Sequence, residues 1–468
     1  MNRHLRIACL MALIAAAVLA VAVGCSRKPP PNIVIVVLDT VRDDYTGAGA
    51  KRPGVTPNLD GLARQGTNFT HAWATAPWTT PSHVSMFTGL LPSEHGCTSK
   101  NHKFSPDPVT MAEVLADAGY ETAAFYSNPW LTDWVTGMLR GFELQSVSGP
   151  QDLELLDILT WREQGGPGTV ENLSRWLSER DGGRPFLAFV NLLEAHLPYA
   201  PPPEYRESHP SDLPRDDAIT SLWAHEFNAR LHPSDDVDWE RVSYLYSGDV
   251  ATSDELLGRI LALLDARGLA DDTVVIVTSD HGENLGDHGL IDHQFGVFET
   301  LLAVPLVIRA PGRLSPGERE DPVMLTDLFA TVAELADATV EETPTHSRSL
   351  LGDAAPADRP LIAEYAGAYT PLIEYMAGLN PALDLGLLRP AYGTVRVGSM
   401  RLTVGSDGSV VLHDVAADPG QSNDVASTAP ETVESLMRHL PLVTERDESN
   451  PEVDERMEEW LRALGYIL

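Results

Sequence analysis

Positive charge is scarce in this chain. Its 468 residues carry 33 Lys and Arg against 67 Asp and Glu, a formal net charge of −34. Duplex nucleic acid is held by clustered Lys and Arg, so this balance excludes a duplex-binding protein, and no nucleic-acid partner is expected. An anionic substrate must then be drawn in by local positive charge, most simply a bound metal ion. Cysteine is rarer still. Three residues cannot build a disulfide scaffold, and Cys97 has no motif around it, so it reads as a small buried side chain. The one long apolar run, Ile7 to Val23, is shorter than the roughly 20 residues of a spanning helix. Internal repeats and low-complexity domains are absent. What remains, 43% apolar and 21% charged residues, is a globular composition able to bury a large core.

The N-terminus reads as an address. Arg3 and Arg6 precede the apolar run, and Val21-Ala22-Val23-Gly24-Cys25 closes it. That closing segment resembles a bacterial lipobox. The resemblance implies removal of residues 1–24, a lipid on Cys25, and a membrane-anchored protein facing the periplasm or cell exterior. An uncleaved anchor is the alternative. Residues 25–31 then form a Pro-rich basic tether.

From residue 32 the chain alternates short apolar runs with helical patterns. Every position from Ile33 to Leu38 is apolar, as a strand buried on both faces requires, and the run stops at Asp39. Similar runs recur at 121–127, 185–193, 272–280 and 304–309. Helical segments lie between them at 109–118, 169–180 and 239–267. This rhythm predicts an α/β fold with a doubly wound, mostly parallel sheet over residues 32–390. In such folds the site lies beyond the carboxyl ends of the strands, where Asp39 and Asp280 both stand. The polar stretch 208–238 reads as a surface excursion. Residues 391–468 change texture, to a small antiparallel sheet, an acidic spacer and a terminal amphipathic helix.

Two segments carry chemistry. Thr278-Ser279-Asp280-His281-Gly282-Glu283-Asn284 sets a carboxylate beside an imidazole at a strand end, with His293 following. This pair can clamp a metal, and His suits zinc, manganese or iron better than calcium. In Pro77-Trp78-Thr79-Thr80-Pro81-Ser82-His83, Thr80 is placed to cap a helix and Pro81 suits its first turn. Thr79 then lies at the positive end of that helix, where a metal can make a hydroxyl nucleophilic. Taken alone, each segment also fits an ordinary polar loop or helix cap.

Together, Asp39, Thr79, Asp280 and His281 resemble the alkaline phosphatase/sulfatase superfamily, and most closely its sulfatase branch. Asn32–Asp44 is similar to its opening strand and metal-aspartate motif, Ala76–Gly96 to its nucleophile segment, and Glu194-Ala195-His196-Leu197-Pro198-Tyr199 to its His-x-Pro-Tyr segment. Thr278–Gly289 is similar to the second metal motif, and 412–423 to the C-terminal strand and turn. There are departures. Sulfatases of this family form an aldehyde from Cys or Ser in a Cys/Ser-x-Pro-x-Arg motif, and here Thr79 and His83 hold the first and last of those positions. Thr40 replaces a second metal Asp, Ser127–Trp130 lacks the usual Lys-Trp-His, and His281 stands where calcium enzymes usually carry Asn.

The resemblance implies that Asp39, Thr79, Asp280 and His281 hold a divalent metal, with zinc or manganese favoured and calcium still open. It also implies that Thr79 attacks phosphorus or sulfur to give an ester that water then cleaves. His83 and His196 are candidate catalytic residues. His293 and Glu194 are candidates for substrate contact or a second metal. Arg42 and Asp44 are expected to pair near the site, with Asp287 and His288 stabilising the loop. The expected activity is hydrolysis of a sulfate or phosphate ester, leaning to phosphate mono- or diesters, on a small-molecule, glycan or lipid substrate. The alternatives are a phosphoethanolamine-type transferase and a catalytically silent binding lipoprotein.

Overall fold

Six apolar residues in a row can be buried on both faces only where helices cover both sides of a sheet. The computed structural model, which describes residues 30–47, 51–148, 164–207 and 218–441, puts Ile33–Leu38 in that position. Strand β1 (Asn32–Leu38) sits inside an eight-stranded sheet with β2 (Thr67–Phe69), β3 (Glu121–Tyr126), β4 (Leu144–Val147), β5 (Phe186–Leu192), β6 (Thr273–Thr278), β7 (Leu306–Arg309) and β8 (Gly317–Arg319). Across the sheet the order is β8–β2–β7–β6–β1–β5–β3–β4. The five strands from β6 to β4 are parallel. β7 runs antiparallel to β6. The link between those two carries a short hairpin, a 3-10 turn and one α-helical turn, Glu299–Leu302, in place of a crossover helix, and the chain re-enters the sheet in reverse.

Helices α1 (Pro57–Gln65), α2 (Thr79–Thr88), α3 (Met111–Asp117), α4 (Gly166–Glu179), α5 (Ser221–Asn228), α6 (Trp239–Ala266) and α7 (Asp327–Leu335) surround the sheet. Alternation along β1 divides the core. Ile33, Ile35 and Val37 pack with α2, α3 and α7, and Val34, Val36 and Leu38 with α1, α4 and α6. This is the doubly wound, mostly parallel architecture expected from the sequence.

A four-stranded antiparallel sheet follows, made of β9 (Leu361–Tyr365), β10 (Tyr392–Val397), β11 (Met400–Gly405) and β12 (Val410–Asp414). Its first strand comes from upstream of residue 391, where an apolar run looks no different from those of the main sheet. Leu361, Val395, Leu402 and Leu412 join the core under one face of β1. Part of the expected surface excursion is also internal. α5 buries Ala224, His225, Phe227 and Asn228, and the Asn228 side chain exchanges hydrogen bonds of 2.7 and 3.1 Å with the backbone of Ile291. Its polar composition conceals Trp223 and Phe227 one helical turn apart. No helix among the described residues is long and apolar enough to cross a membrane. The lipobox with Cys25, and the acidic spacer and terminal helix beyond 441, lie outside the described residues.

Candidate active site

Strand register builds the centre. Val37 pairs with Asn191 on β5 and with Thr278 on β6. Two residues further on, Asp39 and Asp280 therefore meet at the carboxyl edge of the sheet, and both are fully buried. Asp39 Oδ2 accepts from the side-chain amides of Asn128 and Asn191, each at 2.9 Å. Asp280 Oδ1 accepts from the backbone N–H of Thr40 at 3.2 Å and of His281 at 3.0 Å. Thr40 reaches that position only in the left-handed region, at φ 58°. The opposite oxygens, Asp39 Oδ1 and Asp280 Oδ2, accept no hydrogen bond among the described residues. Buried carboxylate oxygens left so are costly unless a cation meets them.

His281 completes the set. Its Nδ1 donates to the Gly282 carbonyl at 2.9 Å, which leaves the Nε2 lone pair free, 3.4 Å from Asp280 Oδ2. Burial, and then the neighbouring His293, push this imidazole well below its usual pKa, so it stays in the neutral form that ligates metals. Asp39, Asp280 and His281 offer ligand atoms within 4.8 Å of one another. Mixed nitrogen and carboxylate donors of this kind fit a divalent cation.

The Thr79 hydroxyl lies 3.5 Å from His281 Nε2. Thr79 is the first residue of α2, and extended Trp78 occupies the cap position. Thr80, expected as the cap, falls inside the helix because the helix starts two residues earlier than expected, and its buried hydroxyl has no hydrogen bond among the described residues. One turn on, His83 donates from Nδ1 to the Thr79 carbonyl at 2.8 Å and lies 3.5 Å from Asp280 Oδ2. Ser82 Oγ donates to the Asp280 carbonyl at 2.6 Å, which ties α2 to the end of β6.

The remaining candidates separate. The His196 ring lies 5.2 Å from that of His293, which is 4.4 Å from that of His281. Glu194 does not join them: its Oε1 accepts from the Gly166 N–H at the start of α4, 2.7 Å away, because a helix N-terminus attracts a carboxylate. Glu283 and Asp292 stand beside His293 in its stead. His293 Nδ1 is 2.9 Å from Asp292 Oδ1 and 3.7 Å from Glu283 Oε1. Burial pushes the Glu283 carboxyl up to about 7. Burial alone would lower His293, but Asp292 and Glu283 raise it well above its usual range. Arg42 pairs with Asp44 at 2.8 Å and Asp287 at 2.6 Å, and donates to the Glu283 carbonyl at 3.0 Å. His288 stacks on Phe298, and buried Cys97 donates to the His102 carbonyl. Sequence reasoning missed Asn128, Asn191 and Asp292. Asn191 was visible as a lone amide in the apolar run 185–193.

A sulfatase family profile matches residues 31–338. The chain belongs to the sulfatase family. Membership makes it an ester hydrolase of the sulfuric and phosphoric class. An uncharacterised sulfatase of Escherichia coli K12 is 28% identical over 349 residues, 66% of this chain and 68% of that protein. An ulvan-active sulfatase of Formosa agariphila is 25% identical over 423 residues, 84% of this chain and 77% of that protein. Among solved structures, the phosphonate monoester hydrolase of Agrobacterium radiobacter is similar in fold, with a TM-score of 0.68 at 23% identity over 87% of this chain and 96% of that one.

Proposed function

We propose that this sulfatase-family chain is a metal-dependent hydrolase of phosphate mono- or diesters, with Thr79 as its nucleophile. The observation that carries this reading is the Thr79 hydroxyl 3.5 Å from His281 Nε2, beside two buried carboxylate oxygens without hydrogen bonds among the described residues. A divalent cation held by Asp39, Asp280, His281 and Thr79 would lower the pKa of the hydroxyl and stabilise charge on the ester oxygens. Thr79 Oγ1 forms its bond to phosphorus as the bond to the leaving alkoxide breaks, and water then cleaves the Thr79 ester and restores the hydroxyl. The N-terminus of α2 adds partial positive charge at the same point. His83 holds the Thr79 carbonyl and braces Asp280. Threonine cannot become the aldehyde on which the aldehyde-forming sulfatases rely, and that favours phosphorus over sulfur. The substrate is proposed to be a small-molecule, glycan or lipid ester, met outside the cytoplasm by a protein tethered through a lipid on Cys25.

The test uses the full chain in detergent, stripped of metal and reloaded with zinc, manganese or calcium. Aryl phosphate monoester or diester should be cleaved with zinc or manganese, and Thr79→Ala should abolish turnover while keeping the fold. Preferential aryl sulfate cleavage, or an unchanged rate in Thr79→Ala, would overturn the reading. The mass of the N-terminal peptide decides whether Cys25 is acylated.

A further inference from the structure

We propose that Glu283, Asp292 and His293 form a second divalent-cation site, beside the Asp39–Asp280–His281 set and built from different side chains. The inference does not depend on Thr79 being the nucleophile. The three residues offer ligand atoms within 4.8 Å of one another, and all are buried. His293 Nδ1 lies 2.9 Å from Asp292 Oδ1 and 3.7 Å from Glu283 Oε1. Ligand bonds of about 2.0–2.2 Å around one ion place neighbouring donors at about this spacing.

The polar accounts of the three residues point to a missing partner. Glu283 is 0% exposed, and neither of its carboxylate oxygens accepts a hydrogen bond among the described residues. The His293 ring faces the two carboxylates at the distances above, without hydrogen-bond geometry to either. Asp292 accepts from the His293 N–H at 2.6 Å and from the Gln294 side chain at 3.1 Å, which orients it without neutralising it. The nearby Arg42 guanidinium is committed to Asp44 and Asp287, and reaches only the main-chain oxygen of Glu283. The side chains of Glu283, Asp292 and His293 thus converge in one fully buried place. A divalent cation there would meet donor atoms of all three side chains at once. One nitrogen and two carboxylate donors suit zinc or manganese, and three protein ligands leave a coordination position for water or a substrate oxygen. With the rings of His293 and His281 4.4 Å apart, the second site opens onto the same centre. It would give a strongly acidic protein a further positive charge for an anionic substrate.

The measurement is zinc stoichiometry on the full chain in detergent, stripped with chelator, dialysed against zinc and read by elemental mass spectrometry, with circular dichroism as the check on folding. Wild type is expected to hold two zinc ions per chain. Glu283→Gln and Asp292→Asn should each hold one, and so should Asp280→Asn, through loss of the other ion. A single ion in wild type, lost in Asp280→Asn and kept in Glu283→Gln and Asp292→Asn, would overturn the proposal. A single ion lost in Glu283→Gln but kept in Asp280→Asn would uphold this site and sink the first. Should Glu283→Gln fail to fold, Asp292→Asn and the wild-type ratio still decide.

Discussion

Asn191, a polar residue inside the otherwise apolar β5, donates from its amide to Asp39 Oδ2 across 2.9 Å, and Asn128 does the same from the end of β3. The two amides hold Asp39 through Oδ2, and its other oxygen accepts no hydrogen bond among the described residues. Residues that orient metal ligands typically change affinity by about 10–100-fold when removed. Asn191→Leu is therefore expected to weaken zinc or manganese binding by about that factor, with the fold retained. A chelator-competition titration checks it, and unchanged affinity would show that Asp39 needs no such brace.

Metal removal should change stability in a ligand-dependent way. Anything that binds only the folded state stabilises it by mass action, so Tm should rise with zinc or manganese concentration. Asp280→Asn removes one buried charge. Without metal, this variant is expected to melt at or above the temperature of metal-free wild type, and to gain much less on addition of metal. A variant that melts well below metal-free wild type would mean that Asp280 is already compensated by protein groups.

Gly282 has a steric task. A Cβ there would come within 2.1 Å of the Thr300 carbonyl oxygen and 3.1 Å of Arg42 Cγ. Its N–H also donates to the Leu301 carbonyl at 2.8 Å, so the backbone has little room to retreat. Gly282→Ala should cost about 1–3 kcal/mol and displace His281, seen as a lower Tm and weaker metal binding. Wild-type values for both would show that the loop can yield.

Asp43 predicts a pH effect away from the metal ligands. Burial, and then Asp44, push its carboxyl from 3.8 to about 6. Between those two values the folded protein holds a proton that the unfolded chain has lost. Stability therefore falls as pH rises through about 4 to 6, and the cost persists above that range. Asp43→Asn should be more stable than wild type by about 1–2 kcal/mol at pH 7.5, with the advantage vanishing near pH 4. Denaturant melts at both pH values test this. A constant difference would remove Asp43 as the cause.

The apolar run Ile33–Leu38 announced a strand buried on both faces, because nothing else hides six apolar side chains in succession. Asp39, Asp280 and His281 were legible for a similar reason, as polar groups placed where such strands end. Thr79 and its helix were legible through local chemistry, although the start of the helix was read two residues late. Local patterns carry this information because they reflect what each segment must do with its own backbone and apolar face.

Tertiary structure decided the remainder. Glu194, next to His196 in the chain, goes to the N-terminus of α4, and Glu283 and Asp292 take the place beside His293. The sequence also could not reveal that β9 leaves the main sheet, or that β7 enters it reversed. Which carboxylate oxygens end up without donors depends on strand register and on side chains from β3, β5 and the loop after β6. By itself the sequence determined the fold class through patterns confined to single segments, and its family resemblance named Asp39, Thr79, Asp280 and His281 as candidates for one site. Which buried polar atoms were left without hydrogen bonds among the described residues, and so where a second cation is proposed, was decided only when distant segments packed together.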